Sequence, residues 1–155
     1  GTFTGLGCLI FHQARYLLGT QAYGEYRGLW IRPGGHVKDG EALHKAVERE
    51  VREEANIKVA AEGIVGVRSR IRNPQTTDCY LVFPMRYLEG MQRPDGKEVD
   101  AAEFLRYEEI EALSNVVNLT KIIIQQHNAK KLTTLRRTKS FEFYNSNDQD
   151  YQLFL

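Results

Sequence analysis

Three carboxylates, Glu50, Glu53 and Glu54, are crowded into one short stretch beside Arg49 and Arg52. On a helical wheel drawn over Glu41 to Ala55, the apolar residues Leu43, Ala46, Val47 and Val51 gather on one stripe. Glu50 and Glu54 fall inside that stripe and Glu53 at its edge, whereas Lys45, Glu48 and Arg52 lie opposite. The sequence therefore predicts a helix that buries or half-buries three acids. Desolvation, like-charge repulsion and the negative end of the helix dipole all oppose this. The repulsion and dipole effects are each about 0.3–1 kcal/mol at exposed sites, and burial makes desolvation much larger.

Arg49 can reach Glu53 at i,i+4, but one guanidinium does not balance three converging carboxylates. An all-oxygen cluster on a rigid helix suits a hard dication, Mg²⁺ or Mn²⁺. Such a cluster does its best work on phosphorus, where the metal screens charge, polarises oxygens and acidifies water. Hydrolysis of a phosphoanhydride follows from that chemistry. A merely solvated acidic face would keep these acids away from Leu43 and Val47, and the wheel does not.

The spacing is Gly35, five residues, Glu41, seven residues, Arg49-Glu50-Val51, one residue, Glu53-Glu54, one residue, Asn56-Ile57. It resembles the signature box of the Nudix hydrolases of MutT type. One position departs, because Asn56 stands where the family pattern has glycine. That residue is the first past the helix, where the chain turns left-handed, and Asn is the next-best residue there.

The resemblance implies an α/β fold, an α/β/α sandwich with a central mixed sheet. It also implies hydrolysis of a nucleoside diphosphate linked to another moiety. By it, Glu50 and Glu54 are the principal ligands of Mg²⁺ (or Mn²⁺), Glu53 a further ligand or the base, and the carbonyl of Gly34 another ligand. Arg49 matches the residue that orients Glu50, and Glu41 the box acid that supports the loop or a bound water. Glu98, an acid preceding an aromatic-bearing strand, fits a position that in some members completes the metal site or acts as base. Candidates for the base rank Glu53, Glu98, then Glu50. The alternative is a catalytically silent Nudix-fold sensor of a nucleotide or ADP-ribose-type ligand. The nearly intact box favours the enzyme.

These residues need a frame. Thr2 to His12 and Arg15 to Gln21 read as a hairpin, and Leu29-Trp30-Ile31 as a short strand stopped by Pro33-Gly34-Gly35. Trp30 is read as core rather than as a base-stacking residue. Asp39-Gly40 turns the chain into the acidic helix. Ile57 to Ile71 reads as one or two strands, and Thr77 to Tyr87 as a strand covered on both faces. Arg68, Arg70 and Arg72 alternate along one strand face. They are either a solvated sheet face or a grip on substrate phosphate, for which guanidinium geometry is well suited. Tyr107 to Leu113 and Leu119 to Lys131 read as helices. The second is built on Leu119, Ile122, Ile123 and Gln126, with His127 a surface residue at its end.

At 155 residues the chain fits one unit, a domain over 1–132 with a C-terminal extension over 133–155. In the extension Phe141-Glu142-Phe143-Tyr144 and Tyr151 to Leu155 suggest a hairpin around a turn at Asn145 to Asp148. So apolar a segment is expected to dock on the domain, or on a second subunit as a homodimer. A net charge of +1 gives no general field for nucleic acid or membrane, so the expected partner is a small-molecule nucleotide. Cys8 and Cys79 lack metal-ligand spacing and read as buried free thiols. The apolar run Leu6 to Phe11 is too short for a secretory leader and no stretch would span a bilayer, so a cytoplasmic location is expected.

Overall fold

The computed structural model describes residues 1–138 and 150–155. Its spine is a pair of parallel strands, β1 (Thr2–His12) and β8 (Thr76–Glu89), in register from Thr2↔Thr77 to Ile10↔Met85. Both are long apolar runs buried at mid-length, as strands covered on two faces must be. β1 then turns through Gln13 and Ala14, both at positive φ, into antiparallel β2 (Arg15–Gln21). The bounds of β1 and β2 match the sequence reading.

Further antiparallel strands complete the sheet: β3 (Trp30–Ile31), β4 (Gly34–His36), β5 (Lys58–Ala61), β7 (Gly66–Asn73) and β9 (Val99–Arg106). Among the described residues, eight strands form one mixed sheet, with β4 on β1, β7 and β5 on β8, and β9 on β2. The stretch read as one or two strands from Ile57 holds three, because β6 (Gly63–Ile64) lies between β5 and β7. Gly34–His36, expected as a loop that only stops a strand, is itself a short strand, its register on β1 set by Gly34↔Gly7. A side chain at Gly34 would strike the Leu6 carbonyl, so only glycine lets these backbones approach.

Helix α1 (Leu43–Ala55) covers one face. Its Ala46, Val47, Val51 and Ala55 pack on Leu6, Cys8, Ile10, Phe83 and Met85. Full burial of Val47 and Val51 contributes roughly 1.5–3 kcal/mol each. The opposite face, with Leu9, Leu18 and Val82, is covered by α2 (Tyr107–Ala112) through Ile110 and by α3 (Asn118–Asn128) through Ile123 and Ile124. The result is the expected α/β/α arrangement. Trp30 packs in this second core.

Helix α3 is rotated by about one residue from the expected stripe. Thr120, Ile123 and Ile124 are buried while Ile122 is 44% exposed, because the Thr120 hydroxyl accepts the Arg32 backbone N–H and fixes the helix face. His127 is half-buried, bonded to the Tyr16 hydroxyl at 2.6 Å, and not a free surface residue. Cys8 and Cys79 are both free; Cys8 is buried, while Cys79 is only half-buried.

In the C-terminal segment β10 (Leu135–Arg136) pairs with β6, and Phe154 packs edge-on against Phe83 at 5.9 Å between ring centres. The expected strand Phe141 to Tyr144 and the turn Asn145 to Asp148 lie outside the described residues. Among the described residues no helix is long and apolar enough to cross a membrane.

Candidate active site

The acidic helix begins two residues later than the wheel drawn from Glu41, at Leu43, and ends at Asn56 with φ 62° and ψ 26°. This is the left-handed turn expected there, and the Asn56 side chain adds a bond from Nδ2 to the Met91 carbonyl at 3.3 Å. The three acids lie at three depths. Glu54 is buried, only 5% exposed, and its Oε2 accepts the Gly34 N–H at 3.2 Å. Burial pushes its pKa up to about 8 against the pull of that bond, and the charges of Glu50, Glu98 and Asp95 add to the rise. Glu50 is half-buried, and burial raises its pKa although Arg49 works to lower it. Glu53, expected at the edge of the buried stripe, is exposed.

Arg49 ties this group together. Its Nε and Nη2 donate to the two oxygens of Glu41 at 2.8 and 3.0 Å, and its Nη1 donates to Glu50 at 2.9 Å and to Glu53 at 3.2 Å. Nη2 also donates to the His36 carbonyl at 3.1 Å, so the same side chain fixes the end of β4. Glu41 accepts the Lys38 N–H at 3.1 Å, which braces the loop entering the helix. The Arg49 guanidinium holds the Glu41 carboxyl below the usual carboxylate range. Contact between Arg49 and Glu53 follows from helix spacing, but its grip on Glu41 does not.

Gly35 faces Glu50 so closely that a side chain there would overlap the Glu50 carboxylate. Among the described residues no three His, Cys, Asp or Glu side chains already converge as a metal cage. Their oxygens are shared instead between Arg49 and the Gly34 amide. The donor set is nonetheless all oxygen, and among the described residues the buried Glu54 carboxyl has no guanidinium partner. Both features fit a hard dication rather than a soft one.

Glu98 lies across the gap, near enough for its charge to act on Glu50 and Glu54. Asp95 holds it there. One oxygen, Oδ1, accepts the backbone N–H groups of Lys97, Glu98 and Val99 at 2.9, 3.0 and 2.9 Å. Sequence reasoning missed Asp95; the signal was Asp-Gly immediately before Lys97 and Glu98, the composition of a side-chain-capped turn.

Beside Gly34 to His36 opens a cleft of about 220 Å³. Arg68, Arg70 and Arg72 line it, and all three converge on Asp78 Oδ2 at 2.9, 2.8 and 3.4 Å. Burial works against the Asp78 carboxylate, but the Arg70 bond and the three charges outweigh it and hold the pKa below its ordinary value. The face-sharing of the arginines was readable from their alternation. Asp78 was not, because the contact arises from the Arg70↔Asp78 pairing of β7 with β8. Tyr80 and Arg32 also line the cleft and carried no motif.

A sequence model of the NUDIX domain matches residues 2–126. The chain belongs to the Nudix family. Over 65 residues this Nudix domain is 35% identical to the human protein 8-oxo-dGDP phosphatase NUDT18, a match covering 42% of the chain. The chain spans 20% of that relative's length. A MutT Nudix hydrolase from Burkholderia pseudomallei superposes with a TM-score of 0.71 at 23% identity, covering 81% of this chain and 98% of the other. A Nudix hydrolase from Nitrosomonas europaea gives 0.72 at 23% identity over 87% and 94%. At these identities the structural likenesses speak for the fold. The family match covers the stretch that holds Glu50, Glu53 and Glu54 on α1.

Proposed function

We propose that this Nudix domain is a Mg²⁺-dependent pyrophosphohydrolase that cleaves a phosphoanhydride bond in a nucleoside diphosphate linked to another group. The observation that carries the reading is Glu54, a buried carboxyl on an apolar helix face, bonded to the Gly34 amide and crowded by further acids. Glu50, Glu53 and Glu54, with the Gly34 carbonyl, would hold Mg²⁺ or Mn²⁺. Once bound, the cation would screen the charge of the diphosphate and acidify water.

The chain's own groups have distinct tasks. Arg49 orients Glu50 and Glu53, and Glu41 orients Arg49. Glu53 accepts the proton of the attacking water, and its exposure leaves it open to solvent for release. Glu98, aimed by Asp95, is the second candidate for that task. Arg68, Arg70 and Arg72 set the cleft in which the substrate lies, and they counter its negative charge as it enters.

A small-molecule nucleotide is thus the partner, and the named substrate of the human relative, 8-oxo-dGDP, belongs in the first panel. The test is formation of nucleoside monophosphate from nucleoside diphosphate derivatives, triphosphates and ADP-ribose-type compounds, with Mg²⁺ and with chelator. Cation-dependent formation from at least one compound is expected. Tight binding of a nucleotide with no turnover across the panel would make the domain a sensor instead.

A further inference from the structure

A second cavity lies away from the acids, on the other face of the sheet. Successive residues of β1 point to opposite faces, so Cys8 and Ile10 meet α1 while Leu9 and Phe11 turn to the side that α3 covers. Between these two residues, the C-terminal end of α3 and the returning segment Leu132 to Thr134 opens a space of about 520 Å³. It shares no lining residue with the cleft beside Gly34 to His36. Thr120 in that cleft and His127 in this cavity stand about 10 Å apart along the α3 axis. The space exists because Lys130, at φ 58°, ends the helix in a left-handed turn, after which the chain runs back to pair β10 with β6.

One wall is a cluster of three rings. Phe11 lies 4.7 Å from Tyr16 and 4.8 Å from His127 between ring centres, yet it remains 44% exposed. Leu9, Pro84 and Leu132 continue the apolar lining. A half-bared ring beside an apolar hollow is a surface that a flat apolar ligand covers well.

The polar groups of the cavity favour an acceptor. The Tyr16 hydroxyl and His127 Nδ1 share a bond of 2.6 Å. Tyr16 has no other side-chain acceptor among the described residues, so its proton goes to Nδ1 and the imidazole keeps its own on Nε2. Burial lowers the His127 pKa, which leaves this ring neutral at pH 7. No Asp or Glu lines the cavity, and Lys130 is its one charged side chain. Among the described residues Lys130 forms no ion pair.

The negative end of α3 points here and would oppose an anion. Its last carbonyls are already engaged, however: those of Gln125, Gln126 and His127 accept the N–H groups of Ala129, Lys131 and Lys130 at 3.0, 2.9 and 3.0 Å. One ammonium and one ring N–H, without a guanidinium fork, match a single carboxylate rather than a phosphate dianion. The volume falls within the roughly 300–1,000 Å³ usual for small-molecule sites.

We infer that this cavity binds a small aromatic carboxylate, its ring laid against Phe11 and its carboxylate turned to Lys130 and to His127 Nε2. Such a site stands whether or not the domain turns over a nucleotide.

The test is calorimetric titration of the whole chain with 2-naphthoate, and with 2-naphthamide as its uncharged isostere. The carboxylate should bind saturably and at least about tenfold more tightly than the amide, within reach of one charge-assisted contact. Lys130→Gln, at an exposed position, should bring the carboxylate down to the amide level, and Phe11→Ala should weaken both ligands. Arg68→Gln, in the other cleft, should leave naphthoate binding unchanged. Absence of saturable binding at millimolar naphthoate, equal binding of the two compounds, or a carboxylate preference that survives Lys130→Gln overturns the inference. Loss of binding in Arg68→Gln overturns it as well, because the anion would then sit among the arginines.

Discussion

The carboxylate of Glu50 occupies the space that a side chain at Gly35 would fill. This fixes the Glu50 position from the strand side, while Arg49 fixes it from the helix side at 2.9 Å. Gly35→Ala should therefore push the Glu50 carboxylate aside. The displaced atoms are the end of a flexible side chain, so the fold should lose less than about 1 kcal/mol. Turnover should fall more than about tenfold, with weaker apparent Mg²⁺ affinity. Thermal unfolding and Mg²⁺-dependent initial rates check both halves. Retained activity would remove Glu50 from the working site.

The raised pKa of Glu54 makes a sign-specific forecast. Folded protein without cation keeps a proton on this carboxyl up to about pH 8, whereas the unfolded chain releases it near the ordinary glutamate value of 4.5. The folded state thus binds more protons between those values, and its stability falls as pH rises through that window. One proton gives a slope of at most about 1.4 kcal/mol per pH unit. Denaturant titrations from pH 5 to 8 in chelator should show the decline, and Glu54→Gln should flatten it. Mg²⁺ uptake near pH 7 should release a proton, which calorimetry in buffers of different ionisation enthalpy will register.

Asp95 predicts a loss at a distance from the chemistry. Asp95→Ala frees three backbone N–H groups and lets Glu98 drift. Turnover should fall about as far as in Glu98→Gln, with little change in KM, and the double variant should be no worse than either single one. Faster amide exchange at Lys97 to Val99 in Asp95→Ala alone would tie the loss to the loop. Full additivity would separate the two residues.

The β1–β2 turn offers a stability test away from the site. Gln13 and Ala14 hold φ of 50° and 62°, values that two-residue hairpin turns require and that Asn-Gly adopts with less strain. Replacing the pair by Asn-Gly should raise stability by about 0.5–1 kcal/mol in denaturant titrations. No change in enzymatic rate is expected. A loss of stability would mean that these side chains make contacts worth more than the strain.

What the sequence determined by itself is local. Periodicity placed Glu50 and Glu54 on an apolar helix face, strand alternation bounded β1 and β2, and the i,i+4 rule joined Arg49 to Glu53. These relations follow from 3.6 residues per turn and a two-residue strand period, which hold before any tertiary contact forms.

Only the tertiary structure decided how far each acid is buried and what meets it. Glu53, at the edge of the helical stripe, proved exposed, whereas Glu54 one residue on is buried. Gly34–His36 became a strand because β1 supplied hydrogen-bond partners, and that pairing set the Gly34 amide on Glu54. Asp78 reached three arginines through strand register, Arg49 closed on Glu41 over the turn entering the helix, and Tyr80 found room because Gly5 and Gly7 of β1 lie against it. Each of these needs residues brought from elsewhere in the chain. Pairing register and side-chain room decide such contacts, and neither is encoded in the spacing along one segment.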